Sequence, residues 1–341
     1  MKAIGYLNSL DISHQDSLID IDLPTPTPTG RDLLIKVNAI SVNPVDTKVR
    51  VRAQPENGEY KVLGWDAVGE VIDAGDQAQF YQKGDTVWYA GDITRPGTNS
   101  EYHLVDERIV GRKPESVSNA EAAAFPLTAI TAWELLFDRL GFEQSTTADK
   151  TDRQQLLIVG AAGGVGSILV QLASQLTDSV VIGTASRPES QAWVKELGAD
   201  FVIDHRKPLS EELKRIGIDS VTHVASLNAT EQHYDEIIES LAPQGKLGLI
   251  DDPQSPLDIM KLKMKSISLH WEFMYTRSML NTDDIEKQRD LLNSIADLID
   301  AGRIKTTLGE HYGQINAENL KRAHANLESG SAIGKIVLEG F

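Results

Sequence analysis

Cysteine is absent from all 341 residues of the chain. Disulfides, zinc sites built from thiolates and a cysteine nucleophile are therefore excluded. Long hydrophobic runs are absent as well, since no apolar stretch approaches the ~18 residues that a membrane-spanning helix requires. The first residues, Met1–Tyr6, also lack the apolar core of a signal peptide. We therefore expect a cytoplasmic protein that has no membrane partner.

Positive charge is scarce in this sequence. The 33 lysines and arginines are outnumbered by 50 aspartates and glutamates, which gives a formal net charge of −17. This excess argues against nucleic acid or an anionic membrane as a partner. The contents of hydrophobic residues, 41%, and charged residues, 24%, are those of a globular protein. A length of 341 residues predicts two domains.

Residues 155–173 have the pattern of a nucleotide-binding turn. The apolar run Leu156–Val159 predicts a strand that is covered on both faces, and apolar residues recur at helical spacing from Val165 onward. Glycines between the two predict a tight turn, where the first amides of the helix can bind a pyrophosphate. The candidate cofactor-binding residues here are Ala161, Gly163, Gly164, Val165 and Gly166. Ala161 replaces the first glycine of the usual fingerprint, and the alternative is a plain turn between a strand and a helix.

The residues after the next predicted strand, Ser179–Thr184, indicate which dinucleotide binds. An enzyme that uses NAD usually has an acid there for the ribose 2′-hydroxyl, but this chain has Ala185, Ser186 and Arg187. Arg187 can pair with a 2′-phosphate and Ser186 can donate to it, so we expect NADP(H). The alternative is that Ser186 caps the helix that Pro188 opens and that Arg187 is a solvated charge.

The rest of the chain predicts an α/β fold in two parts. Short alternating runs up to about residue 125 predict a β-rich domain, and residues 143–153 predict a polar surface loop. Strands and helices then alternate as in a doubly wound parallel sheet. The expected strands are 2–6, 32–40, 67–74, 86–89, 101–105, 156–159, 179–184, 201–203, 221–227, 246–250, 267–273 and 335–338, and the expected helices include 188–197, 231–241, 283–301 and 317–327.

Five stretches together carry a family resemblance that covers nearly the whole chain. They are Ser41–Asp46, Leu63–Val71, Ala122–Trp133, Gly160–Gly166 and Gly334–Leu338. On these residues the sequence resembles the medium-chain dehydrogenase/reductase superfamily, in the branch of zinc-independent quinone oxidoreductases that includes ζ-crystallin.

The resemblance implies a particular division of the chain. It implies a GroES-like catalytic domain of residues 1–125 and 275–341, a Rossmann NADP-binding domain of residues 126–274, and a cleft between them for the nicotinamide. It also implies a homodimer joined through the last Rossmann strand, residues 267–273, which would otherwise be an exposed apolar sheet edge.

The resemblance also bears on zinc. At the ligand positions of the zinc alcohol dehydrogenases this chain has Asn43, Trp65 and Thr128. Tryptophan cannot ligate zinc, and asparagine and threonine are poor ligands for it. The eight histidines form no His-x-x-x-His array. We therefore expect no metal site.

Further cofactor contacts follow from the resemblance and from strand ends. The residues expected to bind NADP(H) are Thr128, His205, Asn228, Asp251 and Phe273. Resembling reductases have a tyrosine at His205, beside the 2′-phosphate, although surface placement of His205 is the alternative. Thr128 has packing within its helix as an alternative. A family arginine that meets the same phosphate is replaced by Gly330, which weakens the preference for NADP.

Three residues are candidates for catalysis. Asn43 is expected to donate to the substrate oxygen or else to hold its own loop, and Trp65 to line the substrate pocket or else to fill the space of the absent metal. Tyr60 can supply a proton, although it does not align with the tyrosine of the resembling reductases.

The reaction expected is NADPH-dependent reduction of a quinone or an α,β-unsaturated carbonyl. Such acceptors spread the incoming charge onto an oxygen that hydrogen bonds can hold, so no Lewis acid is needed. The alternatives are a zinc-type alcohol dehydrogenase and a non-enzymatic NADPH-binding protein like a crystallin.

Overall fold

The computed structural model describes residues 1–56, 58–145 and 154–341. The chain folds as two compact units. The discontinuous unit comprises Met1–Ile130 and Tyr275–Phe341, and the continuous unit comprises Thr131–Met274. Residues 146–153 of the expected polar loop lie outside the described part of the chain. Across the described ranges, no helix combines the length and the apolar character that crossing a bilayer would demand.

The strands are, in chain order, β1 (Lys2–Tyr6), β2 (Ile19–Asp22), β3 (Asp32–Val42), β4 (Lys61–Val62), β5 (Ala67–Ala74), β6 (Thr86–Tyr89), β7 (Tyr102–Asp106), β8 (Val110–Arg112), β9 (Gln155–Val159), β10 (Val180–Thr184), β11 (Phe201–Ile203), β12 (Val221–Ser226), β13 (Leu241–Leu249), β14 (Ser268–Trp271), β15 (Leu308–His311) and β16 (Lys335–Glu339).

The α-helices are α1 (Pro44–Arg52), α2 (Asn119–Ala123), α3 (Pro126–Trp133), α4 (Gly164–Leu176), α5 (Pro188–Glu196), α6 (Leu209–Arg215), α7 (Thr230–Ser240), α8 (Thr276–Leu280), α9 (Lys287–Asp300) and α10 (Ala317–Glu328). A π-helix covers Glu134–Arg139, and 3₁₀ helices cover Glu107–Ile109 and Ile259–Lys265.

The continuous unit is built on one parallel sheet with the order β11-β10-β9-β12-β13-β14. Its central strands β9 (QLLIV) and β10 (VVIGT) are nearly continuous apolar runs, because helices cover both faces of such a sheet. Leu157, Val224 and Leu247 lie at its fully buried centre. The strand order reverses between β9 and β12, which is the Rossmann arrangement with a ligand crevice at that reversal. This confirms the predicted doubly wound α/β fold.

The discontinuous unit contains two mainly antiparallel sheets. The larger one has the order β15-β16-β3-β5-β6-β8, with β7 also paired to β3, and the smaller one has the order β2-β1-β4. The last strand, β16, pairs antiparallel with β3 so that Ile336 is opposite Val42. This register places Lys335 beside the point where β3 ends and α1 begins.

The prediction missed α1, α6, α8, β2, β4, β8 and β15. Helix α1 matters most, because it follows directly on the expected site residue Asn43. Asn43 is its N-cap, Pro44 is its first residue, and the Asn43 amide donates to the Asp46 carboxylate over 2.6 Å. These are helix-start signals.

Candidate functional site

The turn between β9 and α4 has the geometry of a phosphate-binding loop. Gly160 has φ +86°, a left-handed conformation that side chains disfavour, and Gly163 precedes α4 as its N-cap. A β-carbon on Gly166 would lie 2.4 Å from the Gly160 carbonyl oxygen, so helix and turn pack closely. Ala161 is buried and is absent from the residues with positive φ, which is why alanine is accepted there. The first amides of α4 have no acceptor within the helix and can bind an anion.

The end of β10 adjoins this turn. The Gly160 amide donates to the Thr184 hydroxyl over 3.1 Å. Beyond it, the N-cap of α5 is Arg187, whose carbonyl accepts from the Ser190 hydroxyl over 3.0 Å. The interpretation of Ser186 as the helix cap is therefore wrong, and within the described residues the Ser186 hydroxyl donates to no protein group. Arg187 is exposed.

His205 follows β11 and is half-buried. Its ring meets the His233 ring edge-on, with centroids 6.0 Å apart. Burial lowers the pKa of both histidines below the ordinary value, so both rings are neutral near pH 7. The Arg206 guanidinium donates hydrogen bonds to both carboxylate oxygens of Asp204. In this part of the crevice the side chain of His205 is therefore an uncharged ring, and the Arg206 charge is paired with Asp204.

The three remaining candidates of the continuous unit lie after later strands. Asn228 is exposed just beyond β12, next to Gly160. Asp251 accepts from both the amide and the hydroxyl of Thr230, so its carboxylate caps α7. Phe273 is exposed after β14. Gly160 and Asn228 therefore meet at the strand-order reversal, and Asp251 is occupied by a helix terminus.

The discontinuous unit contains a buried polar cluster around Asp66. Its Oδ2 accepts from the Ser41 hydroxyl at 2.7 Å, the Asn43 side-chain amide at 2.7 Å and the Lys335 ammonium at 3.1 Å. Its Oδ1 accepts from the Leu127 amide at 2.7 Å, in the first turn of α3. The charge of the Asp66 carboxylate is thereby satisfied entirely by the protein.

The catalytic candidates occupy different surroundings. Asn43 is buried in the cluster, and its side-chain oxygen accepts from Lys335. Trp65 is 1% exposed, donates to the Asp92 carbonyl over 3.2 Å and packs edge-on against Tyr275. Tyr60 is 41% exposed. The structure brings Asn43 next to Asp66, whereas Tyr60 lies outside the cluster.

Asp46 and Tyr275 are two further buried groups near the cluster. Burial raises the pKa of Asp46 to about 7, against the lowering effect of its hydrogen bond from Asn43 and the charge of Lys335. Burial also raises the pKa of the Tyr275 phenol well above its ordinary value, and the carboxylates of Asp46 and Asp66 add to this. Tyr275 therefore stays protonated at physiological pH.

The sequence prediction missed Lys335 and Ser41 as members of the cluster. The available signal was a lysine at the start of the apolar strand Ile336–Leu338, where a charge is expected to be buried only if it is paired.

The donor set does not fit zinc. The Asn43 side-chain oxygen already accepts from an ammonium, Trp65 offers only an N–H donor, and the Thr128 hydroxyl donates to the Phe125 carbonyl over 2.9 Å. Over residues 1–56, 58–145 and 154–341, no three histidine, aspartate or glutamate side chains are grouped so as to hold a metal ion.

Two family descriptions match the chain. Residues 29–115 match the alcohol dehydrogenase GroES-like domain, and residues 197–338 match the zinc-binding dehydrogenase domain.

Curated relatives align along almost the whole length. A zinc-type alcohol dehydrogenase-like protein of Staphylococcus epidermidis is 37% identical over 338 residues, covering 99% of each chain. A chloroplast envelope quinone oxidoreductase homolog of Arabidopsis thaliana is 27% identical over 325 residues, covering 94% of this chain and 93% of its own.

Solved structures agree with the fold. A Rhizobium etli protein provisionally named as a zinc-dependent alcohol dehydrogenase is 52% identical, with a TM-score of 0.95 over 100% of this chain and 98% of its own. Mycobacterial Rv1454c, solved in complex with NADPH, is 27% identical, with a TM-score of 0.82 over 99% of both chains.

Proposed function

Since the chain belongs to the medium-chain dehydrogenase/reductase superfamily, we propose that it is a zinc-independent, NADPH-dependent reductase of quinones or α,β-unsaturated carbonyls. The observation that carries this proposal is the donor set at Asn43, Trp65 and Thr128, which does not suit zinc. Without a Lewis acid, the acceptor must delocalise the charge that it receives.

The glycine turn and the end of β10 are the proposed cofactor site. The amides of Gly164, Val165 and Gly166 bind the pyrophosphate, and Ser186 and Arg187 hold the 2′-phosphate. The NADPH complex of the mycobacterial neighbour supports this choice. When bound, NADPH supplies the hydride of the reaction.

The discontinuous unit positions the substrate in this proposal. Asn43 is held by Asp66 and Lys335, and its second side-chain N–H is the donor that we assign to the substrate oxygen. Trp65 lines the substrate pocket. Tyr60, the exposed phenol of the three candidates, supplies the proton that the reduced product needs.

We further propose a homodimer formed through β14. Exposed apolar side chains on and near this edge strand, Ile259, Met260, Met264, Trp271 and Phe273, need a cover in water. A second copy of the same edge provides one.

The test combines activity with metal analysis. Purified protein is given NADPH and a panel of quinones, enals, enones and simple alcohols, and consumption of NADPH is followed at its absorbance maximum. We expect turnover of conjugated acceptors by protein that contains substoichiometric zinc.

A zinc-type alcohol dehydrogenase is the second candidate, because the relatives at 37% and 52% identity have names of that kind. Oxidation of simple alcohols by protein that holds one zinc per chain would establish it. NADPH binding without turnover of any acceptor would instead indicate a non-enzymatic role.

A further inference from the structure

We propose that the Lys335 ammonium is the resident cation of the cluster around Asp66, and that it positions the junction of β3 and α1, Ser41–Asp46. The proposal rests on the zinc-independent part of the proposed function. It does not depend on which acceptor the enzyme reduces.

Protein acceptors saturate the Lys335 ammonium. Lys335 is 3% exposed, and its three N–H donors are matched by three acceptors: the Val42 carbonyl at 3.3 Å, the Asn43 side-chain oxygen and Asp66 Oδ2 at 3.1 Å. No donor is left for a substrate. Lys335 is therefore a positioning residue and does not act on the reacting atoms.

The charge of Lys335 balances the buried charge of Asp66. The Asp66 carboxylate is fully buried, and removing such a charge from water is costly unless an opposite charge compensates it. The Ser41 hydroxyl and the Asn43 amide supply hydrogen bonds but no net charge. Among the residues that the structure describes, Lys335 is the cation in direct contact with Asp66. An incoming metal ion would face the same oxygens together with this positive charge.

Lys335 also fixes the orientation of the Asn43 side chain. An asparagine side chain can present its oxygen or its nitrogen to a neighbour. The ammonium selects the oxygen of Asn43, so the nitrogen is directed toward Asp66. The strand pairing of Ile336 with Val42 fixes where the ammonium lies. The orientation of Asn43 is thus set by a residue 292 positions later in the chain.

The test removes the charge and then restores it. Lys335→Ala is compared with Lys36→Ala, which removes an exposed lysine of β3. We expect the unfolding midpoint of Lys335→Ala to fall by roughly 5–15 °C, and that of Lys36→Ala by at most about 2 °C. Propylammonium chloride should recover part of the loss in Lys335→Ala, whereas equal sodium chloride should not. Equal melting of the two variants, or equal effects of the two salts, would overturn the proposal.

Two further variants test the charge balance if Lys335→Ala does not fold. The double variant Asp66→Asn/Lys335→Met removes both charges and should melt higher than Lys335→Met alone. A double variant no more stable than that single variant would contradict the proposed charge balance.

Metal content gives an independent readout. Wild-type protein incubated with zinc and then dialysed should retain substoichiometric metal at the cluster. One zinc per chain, lost on Asp66→Asn substitution, would refute a resident ammonium. These measurements do not use activity, so a failed acceptor panel would count against the proposed function alone.

Discussion

A β-carbon added to Gly160 would lie 2.4 Å from the side-chain oxygen of Asn228. The two residues meet where the strand order of the parallel sheet reverses. A real β-carbon does not approach an oxygen so closely, so the exposed Asn228 side chain would have to rotate away, and the φ of +86° at Gly160 disfavours any side chain. The cofactor turn therefore depends on having no side chain at residue 160.

We predict that Gly160→Ala weakens NADPH binding by at least about tenfold, because a side chain at the positive φ strains the turn and also pushes the Asn228 side chain out of its place beside the turn. Fluorescence titration with NADPH measures the effect. Gly217→Ala is the matched control, since Gly217 has a similar φ of +83° but no atom within 4 Å of the added β-carbon. That control should lose about 1 kcal/mol of stability and keep its NADPH affinity. Unchanged binding by Gly160→Ala would show that the turn is not the cofactor site.

The preference for NADP(H) depends, in our proposal, on Arg187. Arg187→Ala should weaken NADPH binding roughly 10- to 100-fold through loss of charge-assisted hydrogen bonds. NADH binding should change little, because NADH lacks the 2′-phosphate. Titration of both cofactors against wild type and variant gives the ratio directly. An equal loss for NADPH and NADH would assign Arg187 a structural role.

We expect the protein to lose stability at acidic pH because of the buried His324 in α10. Both ring nitrogens are buried and have no hydrogen-bond partner in the part of the chain that the structure describes. Burial, together with a smaller effect of the Arg50 charge, lowers the pKa of His324 to about 3. The unfolded chain, with a histidine pKa near 6.5, therefore binds the proton first. The free energy of unfolding should fall as pH drops from about 6.5 toward 3.

His324→Leu removes this contribution, so its advantage over wild type should grow as pH falls below about 6.5. Urea denaturation at pH 7.5 and pH 5.5 measures the difference. Exposed His14→Leu serves as the control and should follow the wild type at both values. A His324→Leu advantage that is the same at both pH values would disprove the prediction.

Assembly is tested at Trp271, which is 52% exposed on β14. Trp271→Glu places a charge on the proposed apolar edge and should shift the protein from dimer to monomer in sedimentation velocity at micromolar concentration. Leu280→Glu, at a residue 64% exposed in the other unit, should leave the assembly unchanged. A wild-type monomer would remove the basis for the proposed dimer.

The parallel sheet could be predicted from the sequence because strands such as β9 and β10 are nearly continuous apolar runs that end at turn residues. Strands β2 (IDID) and β15 (LGEH) were missed because each is four residues long and has at most two apolar residues, which is too short a pattern to predict a strand. Helix α1 was missed because Val45, Val49 and Val51 are β-branched and favour a strand, whereas its start signals favour a helix.

The glycine turn was predictable because all its residues are adjacent in the chain. The contact between Lys335 and Asp66 was not, since 269 positions separate them and only the pairing of β16 with β3 joins them. Asn43 and Trp65 were identified because they lie at the positions of zinc ligands in the zinc alcohol dehydrogenases. Their buried hydrogen bonds come from residues that no local pattern connects to them.

The discontinuous unit is made of two separate segments of the chain, and this determines the order in which the two units can complete folding during synthesis. The strand β3 emerges early, but its partner β16 is translated almost 300 residues later. All residues of the continuous unit are made in one uninterrupted stretch before that point. The discontinuous unit is therefore synthesised first but can complete its core only last. Until β16 is made, β3 has an unpaired edge that can pair with other nascent chains.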